Sequence, residues 1–141
     1  MDMQRKKELI AIVDDDESAR SAIYGVLRSV GMNPQSFSSA EEFLASGRQN
    51  EAACLIADVR MPGMSGLELQ GRLAEEGCRI PIIFVTAYGD ARTRAQAMKG
   101  GAIGFLGKPF DDKVLLESVR SALAERTRTA QPGSLSTLML L

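Results

Sequence analysis

Short apolar runs alternate along the chain with longer segments in which apolar residues recur every three or four positions. The runs are too short for helices and predict buried strands, whereas the longer segments predict amphipathic helices. The predicted strands cover residues 8–13, 33–37, 53–57, 81–85 and 103–106. Strands that alternate with helices at this spacing indicate an α/β fold, in which helices cover both faces of a parallel sheet.

Five helices are predicted between and after these strands, and polar residues mark where several of them begin. They run from about residue 17 to 30, from Ser38 or Ser39 to about 45, from Ser65 or Gly66 to about 76, from 91 to 99, and onward from Asp111. The first carries an apolar face of Ala22, Ile23, Val26, Leu27 and Val30. The fourth has only Ala91, Ala95 and Met98 on its predicted face, so we expect it to be weakly held and mobile.

The composition restricts the classes of function. The chain has 141 residues, with 45% hydrophobic and 25% charged, as is typical of one soluble globular domain. Its formal net charge of −1 gives no reason to expect nucleic acid or an anionic membrane as a partner. No apolar run approaches the roughly 20 residues that span a bilayer, and the N-terminus does not resemble a signal peptide. A cytoplasmic location is therefore expected.

The chain contains no histidine, which excludes Ser-His and Cys-His nucleophile pairs and argues against a zinc site. The two cysteines, Cys54 and Cys78, form no CxxC pair and are expected to be reduced and packed. We expect one domain over residues 1–125. Residues 126–141 are expected to be a linker or tail without a fold of its own, with the output domain absent, and we see no basic recognition helix in the sequence, which is either a regulator of this one domain or a piece of a longer protein.

Polar side chains stand at the ends of four predicted strands. Asp14 and Asp15 follow the first strand, Asp58 the third, Thr86 the fourth and Lys108 the fifth. Because a doubly wound sheet binds ligands outside the carboxyl ends of its strands, these side chains are expected to converge. Clustered carboxylates repel one another, and a divalent cation such as Mg²⁺ relieves that repulsion.

A metal, a lysine and a hydroxyl around one free carboxylate predict a phosphoryl-transfer site, with Asp58 as the nucleophile. Each residue also has an ordinary structural role open to it. The acids after the first strand can cap a helix, as we expect of Asp16. Thr86 alone is more often a strand-end hydroxyl than a ligand, and Lys108 alone is a surface charge. Only the joint pattern favours the functional interpretation.

Four motifs together resemble the receiver domains of two-component response regulators, over about residues 9–124. They are Val13-Asp14-Asp15, Asp58-x-x-Met61-Pro62-Gly63-Met64-x-Gly66, Thr86-Ala87 and Lys108-Pro109-Phe110. Residues 58–68 and 84–90 are especially similar to receivers of the FixJ type, which usually precede a helix-turn-helix output domain. The resemblance implies a flavodoxin-like, doubly wound (βα)5 sandwich with a five-stranded parallel sheet in the order 2-1-3-4-5.

The resemblance implies that Asp58 is the phosphoacceptor and that a sensor histidine kinase is the phosphoryl donor. It further implies that Asp15, Asp58 and the backbone carbonyl of Arg60 bind Mg²⁺, with Mn²⁺ as an alternative, and that Asp14 assists through water. Such a domain is no enzyme beyond its own phosphorylation and autodephosphorylation.

The remaining implied roles concern the response to phosphorylation. Thr86 and Lys108 are implied to contact the phosphoryl group, and the peptide bond between Lys108 and Pro109 is implied to be cis. Phe105 is implied to fill space that Thr86 vacates, which repacks the surface of the fourth helix, fifth strand and fifth helix. We expect that surface to control a transcriptional or protein-interaction output, through a homodimer if the domain associates.

Two other functions compete with this one. Asp14-x-Asp16, with Asp90 and Lys108, imitates the haloacid-dehalogenase phosphatases, in which Asp14 would be the nucleophile, but that interpretation leaves Asp58 without a role. The second is a docking module of the same fold that works without phosphorylation. Asp58→Ala abolishes phosphate incorporation in a receiver, whereas Asp14→Asn does so in the phosphatase.

Overall fold

A computed structural model describes residues 7–130, with side chains through residue 125. The strands are β1 (Leu9–Val13), β2 (Asn33–Phe37), β3 (Ala52–Ala57), β4 (Ile82–Thr86) and β5 (Gly104–Gly107). The helices are α1 (Glu17–Ser29), α2 (Ala40–Ser46), α3 (Gly66–Glu75), α4 (Ala91–Lys99) and α5 (Asp112–Ala130), with a short 3-10 turn at Arg48–Asn50. All strand pairs are parallel, and their order is β2-β1-β3-β4-β5.

This order confirms the predicted flavodoxin-like fold. It places β2, with its Pro34, at one edge of the sheet, where a missing backbone donor is tolerated. The three central strands β1, β3 and β4 are buried along their whole length. Such strands need helices on both faces, and the alternating strand–helix sequence supplies them.

Two separate hydrophobic cores lie on the two faces of the sheet, because successive strand residues point to opposite sides. One core joins the strands to α1 and α5 through residues such as Ile23, Leu27, Leu115 and Val119. The other joins them to α2, α3 and α4 through residues such as Phe43, Leu69, Leu73 and Ala97. The sheet is thereby fixed from both sides, and its strand ends form a rigid edge.

Polar caps set where the helices begin. Asp16 accepts a hydrogen bond from the Ser18 amide at the start of α1, which confirms its predicted capping role. Ser39 caps α2, and Ser65 forms a reciprocal capping box with Glu68 at the start of α3. These caps fix the residue at which each of the three helices begins.

The structure corrects several details of the sequence predictions. The predicted apolar face of α4 is wrong, because Ala91, Ala95 and Met98 are exposed and the buried residue of that helix is Ala97. Ala22 and Val30 are likewise exposed rather than part of the α1 face. On α4, alanines spread around the helix give no clear apolar stripe. Val30 lies one residue beyond the end of α1, as its C-cap.

The helix α5 runs to Ala130, past the predicted domain end at residue 125. The predicted tail beyond it, residues 131–141, lies outside the described residues. No described helix has the length and apolar character to cross a membrane.

Candidate functional site

The carboxyl edge of the sheet carries the two acids that follow its central strands. Asp14 comes directly after β1, and its amide donates to the Phe37 carbonyl at 3.2 Å. Asp58 comes directly after β3, and its amide donates to the Val13 carbonyl at 3.0 Å. Backbone hydrogen bonds therefore continue to the acids themselves and fix both side chains at the same edge.

Three carboxylates meet at this edge. Asp14, Asp15 and Asp58 each offer an oxygen, and these oxygens lie within 4.8 Å of one another. Asp14 and Asp58 are buried, with 1% and 6% of their surface exposed, whereas Asp15 is exposed to solvent. The cluster is thus open on one side and closed on the other.

Lys108 reaches into the cluster from the end of β5. Its Nζ lies 2.8 Å from Asp14 Oδ2 and 2.8 Å from Asp58 Oδ2. Its backbone amide donates to the Thr86 carbonyl at 2.9 Å, and the following bond to Pro109 is cis. One ammonium group from the end of β5 therefore bridges the two buried acids, which follow β1 and β3.

Burial and charge oppose each other in this cluster. Burial raises the pKa of Asp14 above its ordinary value, and this outweighs the hydrogen bond and charge of Lys108, which lower it. Burial of the ammonium lowers the pKa of Lys108, but its hydrogen bonds to Asp14 and Asp58 outweigh that and leave the pKa raised. Lys108 is accordingly a fixed positive charge at neutral pH.

Thr86, the last residue of β4, is fully buried, and its Oγ1 accepts a hydrogen bond from the Tyr88 amide at 3.1 Å. The cleft beside the acids is lined instead by the next residue, Ala87. The structure therefore brings Asp14, Asp15, Asp58 and Lys108 together in one cluster, with Thr86 buried at the neighbouring strand end.

Two of the three clustered acids, Asp15 and Asp58, line a cleft of about 470 Å³. Its walls are formed by Asp15, Asp16, Asp58, Arg60, Met61, Pro62, Ala87, Tyr88 and Lys108. The Arg60 guanidinium stacks on the Tyr88 ring with 4.6 Å between Cζ and the ring centroid. The Arg60 amide also donates to Asp58 Oδ1 at 3.3 Å. The loop after β3 thus folds over its own acid and leaves a mouth bordered by an arginine and a tyrosine.

The donor set suits a small, hard divalent cation. All three candidate side-chain ligands are carboxylates, and at least one of them is exposed, which leaves room for water in the coordination shell. Mg²⁺ prefers oxygen ligands and keeps several of its waters, whereas zinc and copper prefer nitrogen or sulfur. These residues fit Mg²⁺ or Mn²⁺.

Sequence reasoning missed two residues that hold the site in place. The Arg20 guanidinium, on α1, donates to the Asp14 carbonyl at 2.8 Å. The Glu41 carboxylate, on α2, accepts from the Met64 amide at 2.8 Å and so holds the loop that follows Asp58. The first contact spans six positions and the second spans 23, and neither corresponds to a motif in the sequence.

The family model for the response regulator receiver domain matches residues 10–120. The chain belongs to the response regulator receiver domain family. Receiver domains are signalling domains of two-component systems, and this receiver is also similar to curated proteins of that kind. It is 46% identical to nodulation protein W of Bradyrhizobium diazoefficiens over 122 residues, which is 86% of this chain and 53% of that protein.

Other relatives give the same picture. The response regulator protein TmoT of Ectopseudomonas mendocina is 46% identical over 86% of this receiver and 55% of its own length. The transcriptional regulatory protein FixJ of Azorhizobium caulinodans is 39% identical over 88% of this receiver and 57% of its own length. The receiver therefore spans about half the length of these relatives.

Solved structures agree with the fold. The response regulator StyR superposes with a TM-score of 0.80 at 43% identity, over 86% of this receiver and 62% of that chain. FixJ-N superposes with a TM-score of 0.77 at 36% identity, over 85% of this receiver and 96% of that chain. The resemblance to receivers of the FixJ type is thereby confirmed.

Proposed function

We propose that this receiver accepts a phosphoryl group on Asp58 from the phosphohistidine of a sensor histidine kinase, in a Mg²⁺-dependent reaction in the cytoplasm. The observation that carries the proposal is the position of Asp58. Its carboxylate lies at the floor of an open cleft, with the Lys108 ammonium at 2.8 Å and two further carboxylates beside it.

The reaction is a displacement at phosphorus. An Asp58 oxygen attacks the phosphorus, a P–O bond forms and the P–N bond of the donor breaks. The electron pair leaves with the imidazole nitrogen, which takes up a proton. Asp58 is suited to be the nucleophile because a carboxylate forms an acyl phosphate without an added base.

Positive charge must balance the phosphoryl oxygens in this site. Lys108 already lies between Asp14 and Asp58, so a small movement transfers its ammonium to a phosphoryl oxygen. When bound, Mg²⁺ supplies Lewis-acid stabilisation of those oxygens. Asp15, Asp58 and the carbonyl of Arg60 are the proposed direct ligands, and Asp14 the ligand through water.

The proposed output follows from the phosphoryl charge. Phosphorylation adds about −1.5 to −2 charges at neutral pH. Thr86 donates its hydroxyl to the new group and gives up its bond to the Tyr88 amide. Phe105, whose ring packs beside Phe84, fills the space that Thr86 vacates. This movement alters the surface of α4, β5 and α5. That surface then forms a homodimer or contacts an output partner, which is transcriptional in relatives such as FixJ.

The phosphatase alternative is less well supported by the geometry. Its nucleophile, Asp14, is buried and paired with Lys108, and Asp58 is like it in both respects, so the difference lies in access to the cleft. Asp14 does not line the cleft, whereas Asp58 does. A docking module without phosphorylation remains the second candidate, and the same experiment distinguishes it.

The test is phosphoryl incorporation from acetyl phosphate, followed by intact mass spectrometry. We expect the wild type to gain one phosphoryl group with Mg²⁺ and none when EDTA removes the metal. Asp58→Asn should gain none, whereas Asp112→Asn, which removes an exposed acid of α5, should behave as the wild type. Absence of incorporation in the wild type, together with no binding of BeF₃⁻, would leave only the docking module.

A further inference from the structure

The helix α4 is joined to its neighbours chiefly by polar contacts. Ala97 is its buried hydrophobic residue. The Gln70 side chain, on α3, donates to the Ala97 carbonyl at 2.9 Å and ties down the C-terminal half of α4. The N-terminal half is tied to β5 by Arg94. Because so little apolar surface holds α4, these contacts have a large share in setting its position.

Arg94 makes two contacts with a single residue, Phe105. Its Nη1 donates to the Phe105 carbonyl at 3.3 Å. Its Cζ lies 5.8 Å from the centroid of the Phe105 ring, within the range of a cation–π interaction. One planar guanidinium therefore holds both the backbone and the side chain of Phe105 to α4.

The Phe105 ring is confined on its other sides. Its centroid lies 6.3 Å from that of Phe84, and only 9% of the residue is exposed. Gly89 leaves the space for it, since a Cβ at this position would lie 2.8 Å from Phe105 Cε1. The buried position of the ring thus depends on a small residue before α4 and a charged one within it.

We propose that Arg94 is a positioning residue of the switch: it holds Phe105 in the buried position and makes the ring and α4 move together. The part of this inference that concerns the response to phosphorylation rests on the proposed function. In the proposed switch, the phosphorylated protein has the Phe105 ring buried. Because burial of the ring and occupation of the Asp58 site are then linked, a contact that stabilises the buried ring also raises the affinity for the phosphoryl mimic. Arg94 then sets how strongly the Asp58 site is coupled to the surface of α4 and β5.

Fluorine NMR tests the position of the ring in the free protein. The chain has five phenylalanines, so 4-fluorophenylalanine gives five resonances, and Phe105→Leu assigns the one of interest. Paramagnetic relaxation by a soluble nitroxide reports the solvent accessibility of the Phe105 fluorine. Arg94→Ala should raise this accessibility about three- to tenfold. Arg92→Ala removes the same charge from another exposed position of the same helix and should leave the Phe105 accessibility unchanged.

Gly89→Ala gives an independent perturbation, because its new methyl group would collide with the edge of the Phe105 ring. Gly89→Ala should also raise the accessibility of the Phe105 fluorine. Arg94→Lys keeps the charge without the planar group, so its accessibility should lie between those of the wild type and Arg94→Ala. If Arg94→Ala and Arg92→Ala give the same Phe105 accessibility, the proposal is overturned.

Titration with BeF₃⁻ and Mg²⁺ tests the coupling. Arg94→Ala should weaken binding of the mimic by the factor by which it lowers the buried fraction of the Phe105 ring, and Arg92→Ala should not. Equal affinities in these two variants would refute the coupling. A wild type that fails to bind BeF₃⁻ would instead refute the proposed function, and the fluorine measurement would still decide the role of Arg94 in the free protein.

Discussion

Gly66, the first residue of α3, lies against the backbone of the proposed phosphoacceptor, and this contact predicts a large effect of one methyl group. A Cβ at Gly66 would overlap the carbonyl oxygen of Asp58 and lie 3.0 Å from Phe84 Cε1. The Gly66 amide also donates to the Val59 carbonyl at 2.8 Å, so the backbone cannot easily withdraw. The start of α3 and the end of β3 therefore approach each other as closely as a glycine permits.

The expected cost follows from the atoms that would collide. Overpacking typically costs about 1–3 kcal/mol, and the upper end applies here because backbone atoms cannot change rotamer. Alanine regains at most about 1 kcal/mol of helix propensity. We therefore expect Gly66→Ala to lower the free energy of unfolding by about 2 kcal/mol or more. At about 4 °C per kcal/mol for a domain of this size, the melting temperature should fall by roughly 8 °C.

Gly71 is the matched control, because it lies in the same helix and a Cβ there meets nothing within 4 Å. Gly71→Ala should stabilise the protein by about 0.5–1 kcal/mol through helix propensity alone. Urea denaturation of both variants, with the slope of the transition compared, measures the two effects. A Gly66→Ala protein as stable as the wild type would refute the argued approach of α3 to Asp58.

Three further predictions concern a thiol, a cap and the mouth of the cleft. Burial raises the pKa of Cys54 to about 12, so a thiol reagent should modify only Cys78 in the native protein and both cysteines in denaturant; rapid native modification of Cys54 would contradict its burial. The pKa of Glu42 is lowered by hydrogen bonds from a backbone amide and a hydroxyl before α2. The Glu42 carboxylate therefore stabilises the folded protein above its unfolded pKa of about 4.3, and this stabilisation is lost as the pH falls through its lower pKa in the folded state. Glu42→Gln should melt at a lower temperature than the wild type at pH 7 but not at strongly acidic pH. Tyr88→Ala removes the ring that pairs with Arg60 and should shorten the lifetime of the phosphorylated protein several-fold, as followed by mass spectrometry; an unchanged lifetime would exclude the ring as a barrier to water.

The strands and the acids at their ends were predictable because both depend on local pattern. Asp14 and Asp58 follow buried runs, and a parallel sheet brings such positions to one edge whatever the details of packing. The strand bounds in the structure differ from the predicted ones by a residue at some ends, which does not move the acids. Convergence of the site thus needed only the correct strand order.

The contacts that hold α4 and the loops were not predictable, because they join residues far apart in sequence. The Glu41 carboxylate contacts the Met64 amide across 23 positions, and Gln70 contacts Ala97 across 27. In α4, alanines on several faces hid the fact that Ala97 is the buried one. Arg94 is exposed on α4, and only the tertiary structure places its guanidinium beside Phe105.

Asp58 is proposed to carry the phosphoryl group, and chemical mapping of the acyl phosphate tests this assignment at the level of the single residue. Borohydride reduces an aspartyl phosphate to homoserine, and tandem mass spectrometry of the peptides locates that residue in the chain. After incubation with acetyl phosphate and Mg²⁺, we expect homoserine at position 58 and aspartate at positions 14 and 15. Homoserine at position 14, with position 58 unmodified, would contradict it.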